Sequence, residues 1–192
     1  MSHPLDPERA CARCPRKLGR SCCEVEDSEH LATLTWADVD RIAAATSRAP
    51  RSFAEAEWLS TADARAYEQS RPLYTGYFAR APARLTLKRR AGACVFLRRG
   101  QGCSLGAEVR PTACLLYPFE PWPDGSLSLQ VDRFGSLEEA RGASSSCLAV
   151  EEAGSMEGLL AAFETTREEI SSLSERLRAE VRAHRRDARP PP

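Results

Sequence analysis

Eight cysteines carry the chemistry this chain can do. Cys11, Cys14, Cys22 and Cys23 form one group near the start, Cys94, Cys103 and Cys114 a second in mid-chain, and Cys147 trails them. Thiolates are soft ligands, and grouped thiolates suit zinc or an iron–sulfur cluster. Cys11-x2-Cys14 sets two sulfurs on a tight turn whose amides can hydrogen-bond them, and Pro15 stiffens that turn. Cys22 and Cys23 are adjacent, so both reach one ion only with unusual backbone geometry, which leaves one for a different metal or as a supporting thiol. Cys94, Cys103 and Cys114 are expected on three separate elements: a strand start, the end of the 99–102 turn, and a short helix whose early proline, Pro111, places Cys114 in or near its first turn. Gly100, Gly102 and Gly106 would let backbone pass close to sulfur or metal.

Buried thiols or disulfides are the competing reading. The clustered spacing and a cytoplasmic, reducing setting favour metal. That setting is itself an expectation, drawn from an N-terminal stretch with neither a basic nor an apolar signal-like region and from the absence of any apolar run long enough to span a bilayer. The histidines, His3, His30 and His184, lie outside the cysteine groups and read as surface residues. No acid, base and nucleophile can be placed together, and no glycine-rich nucleotide loop follows a strand, so catalysis is not expected.

The elements that must position the cysteines follow from pattern. Leu34 to Thr46 predicts a helix with Thr35 as N-cap and Asp38 completing a capping box. A second short helix is expected after Ser52, carrying Phe53, Ala56 and Trp58 or Leu59, and residues 62–80 are expected to add helical turns broken by Pro72. Arg84 to Arg90 predicts a strand and Ala93 to Arg98 its partner, joined by Ala91-Gly92. Glu108 to Leu116 predicts a brief helix ended by Tyr117-Pro118, and Asp124-Gly125 a turn into a strand over Ser126 to Val131. Gly142 to Ser146 reads as a small-residue loop leading to Cys147. Beyond Ser155, Met156, Leu159, Leu160, Phe163, Ile170, Leu173, Leu177 and Val181 recur at three- and four-residue spacing and predict a long amphipathic helix. Its stripe could dimerise, but packing back on the same chain is the simpler expectation.

With 192 residues, 42% of them hydrophobic, the chain can bury one sizeable core. The expected architecture is α+β: a flexible start over 1–9, a metal-stabilised cysteine-cluster domain with short helices and a β-hairpin over 10–150, the C-terminal helix over 151–184, and a disordered tail over 185–192 that takes His184 into its frayed end. Formal charge is zero, and Lys17 and Lys88 are the only lysines among 27 basic residues. Such arginine bias lowers the weight of any arginine run. Arg89, Arg90, Arg98 and Arg99 therefore read as a solvated edge, and neither nucleic acid nor membrane is expected as a partner. Arg110 reads equally as solvated or as bonded to a sulfur or a carboxylate near the site, and Tyr117, Pro118 and Phe119 as an apolar lid or as core.

Three blocks together carry a resemblance: Cys11-x2-Cys14-x7-Cys22-Cys23; Leu34-Thr35-x2-Asp38-x2-Arg41-Ile42; and Cys94-x-Phe96-Leu97-x5-Cys103-x6-Arg110-Pro111-x2-Cys114-x2-Tyr117-Pro118-Phe119. Over roughly residues 11 to 120 the chain resembles the YkgJ-like cysteine-cluster family of zinc- or iron-chelating proteins, with Cys147 matching a later family cysteine. The resemblance implies a module chelating zinc or iron, an iron–sulfur cluster included, through Cys11, Cys14, Cys22, Cys23, Cys94, Cys103, Cys114 and Cys147. A structural or interaction module with a protein partner on the C-terminal helix is the leading expectation. The alternative is an iron–sulfur redox sensor or an enzyme component related to protein lysine methylation, since some relatives are attached to flagellin lysine N-methylases.

Overall fold

A computed structural model describes residues 23–24, 32–99, 101–130 and 147–192. Cys11, Cys14, Cys22, His3, His30, Gly100, the expected flexible start, the small-residue loop before Cys147 and the far end of the expected strand at Val131 lie outside the described residues.

Helix α1, Trp36–Thr46, begins as its sequence demands. The Thr35 hydroxyl accepts from the Asp38 amide, and the Asp38 carboxylate accepts from the Thr35 amide, satisfying two amides that have no partner inside a helix. Val39 and Ile42 are fully buried on its inner face. A short 3-10 turn, Pro50–Ser52, then leads into strand β1, Ala54–Trp58.

That strand replaces the helix expected after Ser52. Ala-Glu-Ala-Glu-Trp alternates with period two, and its register against β2, Ala83–Leu87, runs from Ala54↔Leu87 to Trp58↔Ala83. All five β2 residues are buried. The strand is covered on its other edge by Thr33, which bridges Thr86, and by the Leu34 amide, which donates to Leu85 O at 2.8 Å. The Tyr77 hydroxyl ties the same edge together, donating to Leu34 O at 2.6 Å and accepting from the Leu85 amide at 3.0 Å. Between β1 and β2 lies α2, Thr61–Ser70, started by Ser60 rather than interrupted there: the serine hydroxyl accepts from the Asp63 amide.

Past β2 the chain makes two very short hairpins, β3 (Arg89–Arg90) with β4 (Ala93–Cys94), and β5 (Leu97–Arg98) with β6 (Gly102–Cys103). The expected Ala91-Gly92 connection is present, with both residues at positive φ, as a two-residue hairpin loop requires. The strand expected over Arg84 to Arg90 is split, however: its first part pairs with β1 and only its end pairs forward. Helix α3, Thr112–Leu116, follows, then the β7 (Phe119–Pro121) and β8 (Leu127–Leu129) hairpin.

The C-terminal third is three helices, α4 (Leu148–Glu152), α5 (Met156–Ala162) and α6 (Arg167–His184). The predicted long helix is present as α6. It does not extend back to the residues after Ser155, because Glu164 sits at positive φ and Thr166 with Glu169 forms a fresh capping box. The buried residues of α6, Ile170, Ser174, Leu177 and Val181, pack on α1, α3 and β7. The apolar stripe is thus consumed inside the chain. The segment after α6, expected to be disordered, also lies on α1: Arg189 pairs with Asp40 at 2.7 Å and its guanidinium covers the Trp36 ring at 4.4 Å.

Two hydrophobic clusters result. One gathers Leu34, Val39, Ile42, Phe53, Leu85 and Phe96 under the short hairpins, and the other gathers Leu73, Phe119, Leu129, Leu159, Ile170 and Leu177 beneath α6.

Candidate metal centre

The described cysteines begin on the hairpins. Cys94 ends β4 opposite Arg89, and its amide donates to Cys23 O at 2.9 Å, while Glu24 bridges Ala93. Cys23 of the first group therefore reaches Cys94 of the second through backbone pairing, a contact across some seventy residues of sequence that no local pattern encodes. Cys103 on β6 sits opposite Leu97, and the Ser104 amide donates to Phe96 O at 2.8 Å. Phe96 is the anchor of this region, buried against Phe53 with ring centroids 5.8 Å apart. Cys94 and Cys103 both pack against that cluster and are half-buried, as is Cys23. This setting removes part of the water around each sulfur.

Cys114 arrives by a different route. Pro111 caps α3 without any side-chain acceptor of its own, and the cap comes instead from α1: Asp38 Oδ1 accepts from the Thr112 amide at 3.0 Å. One carboxylate thus serves two helix starts. Arg41 closes the arrangement, pairing with Asp38, bonding Glu180 at 3.1 Å and donating to Arg110 O at 3.3 Å. Glu180, from α6, also accepts from the Thr112 hydroxyl at 2.9 Å and pairs with Arg176 at 3.0 Å. Arg110 in turn donates from Nε to Leu105 O at 3.0 Å, joining the stretch after Cys103 to the start of α3. The expected bond from Arg110 to a sulfur or a carboxylate is not the one the structure gives: its partner is a backbone carbonyl. Burial, and next the Glu180 charge, hold the Asp38 carboxyl above the usual range, against the pull of the Thr35 and Thr112 amides and of Arg41.

The motif residues Thr35, Asp38, Arg41, Arg110 and Pro111 are in this way one assembly that fixes α3. Cys114, its third residue, is exposed. Cys147 is the N-cap of α4, buried in the cluster beneath α6, to which Leu116 of α3 also belongs. Phe119 is core rather than lid, 1% exposed and edge-on to Phe163 at 5.7 Å. Gly106 leaves room for the Glu108 carboxylate, against which a Cβ would collide.

His184 is not a frayed surface residue. It is half-buried in α6, its ring stacked on Tyr77 at 4.2 Å, and its Nδ1 accepts from the Trp36 amide at 3.2 Å. Burial lowers its pKa to about 4. That bond uses the ring as a structural acceptor.

Two further carboxylates escaped the sequence reading. Glu180 looked like one more exposed helix carboxylate, and its i,i+4 spacing from Arg176 was the only local clue. Glu120 on β7 is buried, and that burial pushes its carboxyl up to about 7 in spite of nearby Arg71.

Among the described residues, no three His, Cys, Asp or Glu side chains are placed to hold a metal ion. Cys11, Cys14 and Cys22 are outside that set. No family model, no curated protein and no solved structure matches this chain.

Proposed function

We propose that this protein chelates zinc or iron through clustered cysteine thiolates drawn from Cys11, Cys14, Cys22, Cys23, Cys94, Cys103, Cys114 and Cys147, and that the bound metal organises a structural or interaction module. The observation that carries the reading is the 2.9 Å bond from the Cys94 amide to Cys23 O, which sets one cysteine of the first group beside one of the second. The donor chemistry supports it. Half-buried sulfurs on two-residue hairpins form a thin, loop-rich region, and such regions draw much of their folding free energy from metal. Bound zinc would cross-link these hairpins; an iron–sulfur cluster would add redox chemistry to the same ligands.

The test is elemental analysis for zinc, iron and acid-labile sulfide on protein purified without oxygen, followed by chelation. Stoichiometric metal, lost together with the cooperative unfolding of the hairpin region, is the expected result. Metal-free protein with full native structure would overturn the proposal. Iron with matching sulfide would select a redox role over a purely structural one.

A further inference from the structure

We propose that the face where α1, the end of α6 and β2 meet is a recognition site for an extended arginine–proline segment of a partner protein, and that this chain's own Arg189-Pro190-Pro191 occupies it in cis. No cysteine takes part, so the inference stands apart from chelation.

An aromatic row forms the wall. The His184 ring lies 6.3 Å from that of Trp36 and 4.2 Å from that of Tyr77, nearly parallel to both, and the Trp36 amide bond to Nδ1 holds it there. Asp40 stands one turn after Trp36 and so on the same side of α1. Arg189 joins the two. Its guanidinium lies over the Trp36 ring at 4.4 Å, Nη1 and Nη2 donate to the two oxygens of Asp40 at 2.7 and 3.0 Å, and Nη2 also donates to Asp187 at 2.7 Å. A slot between a ring face and a two-pronged carboxylate matches the flat fork of a guanidinium. Two residues on, Pro191 borders a cavity of about 180 Å³ whose walls include Tyr77, Ala83, Leu85 and His184, with Arg80 beside them. Proline does not fill that space, and a cavity of such size holds a benzene-sized group.

The mode of attachment allows exchange. Residues 187–192 form neither helix nor strand, and among the described residues no backbone hydrogen bond ties 188–192 to α1, β2 or α6. The Arg189 amide donates to Asp187 at 2.9 Å, within the segment itself. Contact with the face is therefore through side chains alone. Proline keeps such a segment extended without internal bonds, so a second one of the same kind loses little conformational freedom on docking. In cis the segment competes at an effective concentration on the order of mM. A partner displaces it by filling the space that Pro191 leaves.

The chemistry of the face selects the partner. With Arg189 displaced, the slot presents the carboxylates of Asp40 and Asp187, which attract a cation and repel a phosphate. A lone guanidine would satisfy the slot and reach no cavity. An extended chain with arginine followed two places later by an apolar residue satisfies both, in the manner of proline-rich ligands on aromatic-lined grooves.

The test uses the full chain and the fluorescein-labelled peptide Gly-Ser-Arg-Pro-Leu-Pro-Gly, read by anisotropy. Arg189→Ser releases the cis occupant and leaves the walls intact, so the peptide binds about three- to fivefold more tightly than to the unmodified chain. Asp40→Asn added to Arg189→Ser removes one prong of the slot and reverses that gain. Proline in place of the peptide's leucine lowers affinity about fourfold, since one methylene leaves the cavity, and glutamate in place of its arginine abolishes binding. A face that only anchors the segment gives no peptide binding to the Arg189→Ser protein. That result overturns the proposal, as does weaker binding by Arg189→Ser than by the unmodified chain, equal binding of the glutamate peptide, or free arginine binding as tightly as the peptide. A dimer in light scattering that Arg189→Ser dissolves overturns it too, because the partner is then a second copy. Metal content is measured separately, so failure here leaves the chelation reading untouched.

Discussion

Replacing Arg41 by methionine removes the one cation that faces two carboxylates at the junction of α1, α3 and α6. The side chain of Asp38 is wholly buried and that of Glu180 is 10% exposed. Removing one partner of a buried pair costs about 3–5 kcal/mol, because the other charge is left desolvated. Glu180 keeps its bonds to Arg176 and the Thr112 hydroxyl, so the loss belongs near the lower end, about 3 kcal/mol, or a fall in Tm of about 6–12 °C for a chain of this size. The pH dependence is the sharper signature. Asp38 already has a raised carboxyl pKa in the fold, and loss of Arg41 raises it further. A raised folded-state pKa means stability that is present at low pH and lost as pH rises. The deficit is therefore largest at pH 8 and shrinks by pH 5. Adding Glu180→Gln removes the like charge and restores about 1 kcal/mol, while Arg41→Lys, which lacks the fork, loses about half as much as methionine. Urea unfolding followed by circular dichroism at both pH values measures all four proteins. A deficit below about 1 kcal/mol at pH 8, or one that does not change with pH, would refute this account of the junction.

Three other outcomes are expected. Glu120→Gln stabilises the fold by about 3 kcal/mol at pH 8 and by almost nothing at pH 4.5, since a carboxyl held near 7 instead of 4.5 costs stability as pH rises between those values; a pH-independent effect in urea titrations excludes this. His184 behaves oppositely: with its folded pKa near 4 against an ordinary 6.5, stability is complete above 6.5 and falls by about 3 kcal/mol as pH drops to 4. His184→Phe keeps the stack on Tyr77, loses about 1–2 kcal/mol at neutral pH with the orphaned Trp36 amide, and flattens that acid limb, which a pH series of thermal melts will display. Arg189→Ala, breaking an exposed pair with Asp40, costs under about 1 kcal/mol and increases amide exchange after His184; exchange already as fast as in an unfolded peptide would show the tail is not docked.

Local chemistry settled what the sequence could settle alone. The capping box of Thr35 and Asp38, the Ala91-Gly92 turn, the stop at Tyr117-Pro118 and the apolar stripe from Ile170 to Val181 are all legible because each rests on neighbours within one or two turns of chain. The cysteine groups are legible as chemistry for the same reason: spacing and residue type are sequence properties. Tertiary structure decided the rest. Ala54 to Trp58 is a strand because β2 offers an edge with matching register, a partner more than twenty residues away that outweighs alanine's local preference for helix. Asp38 caps α3 as well as α1, Glu180 joins them, and His184 docks on Tyr77 only because α6 folds back across the chain. The bond from Cys94 to Cys23 has the same origin. Sequence fixes which groups are available, and long-range packing, which no local period encodes, fixes which of them meet.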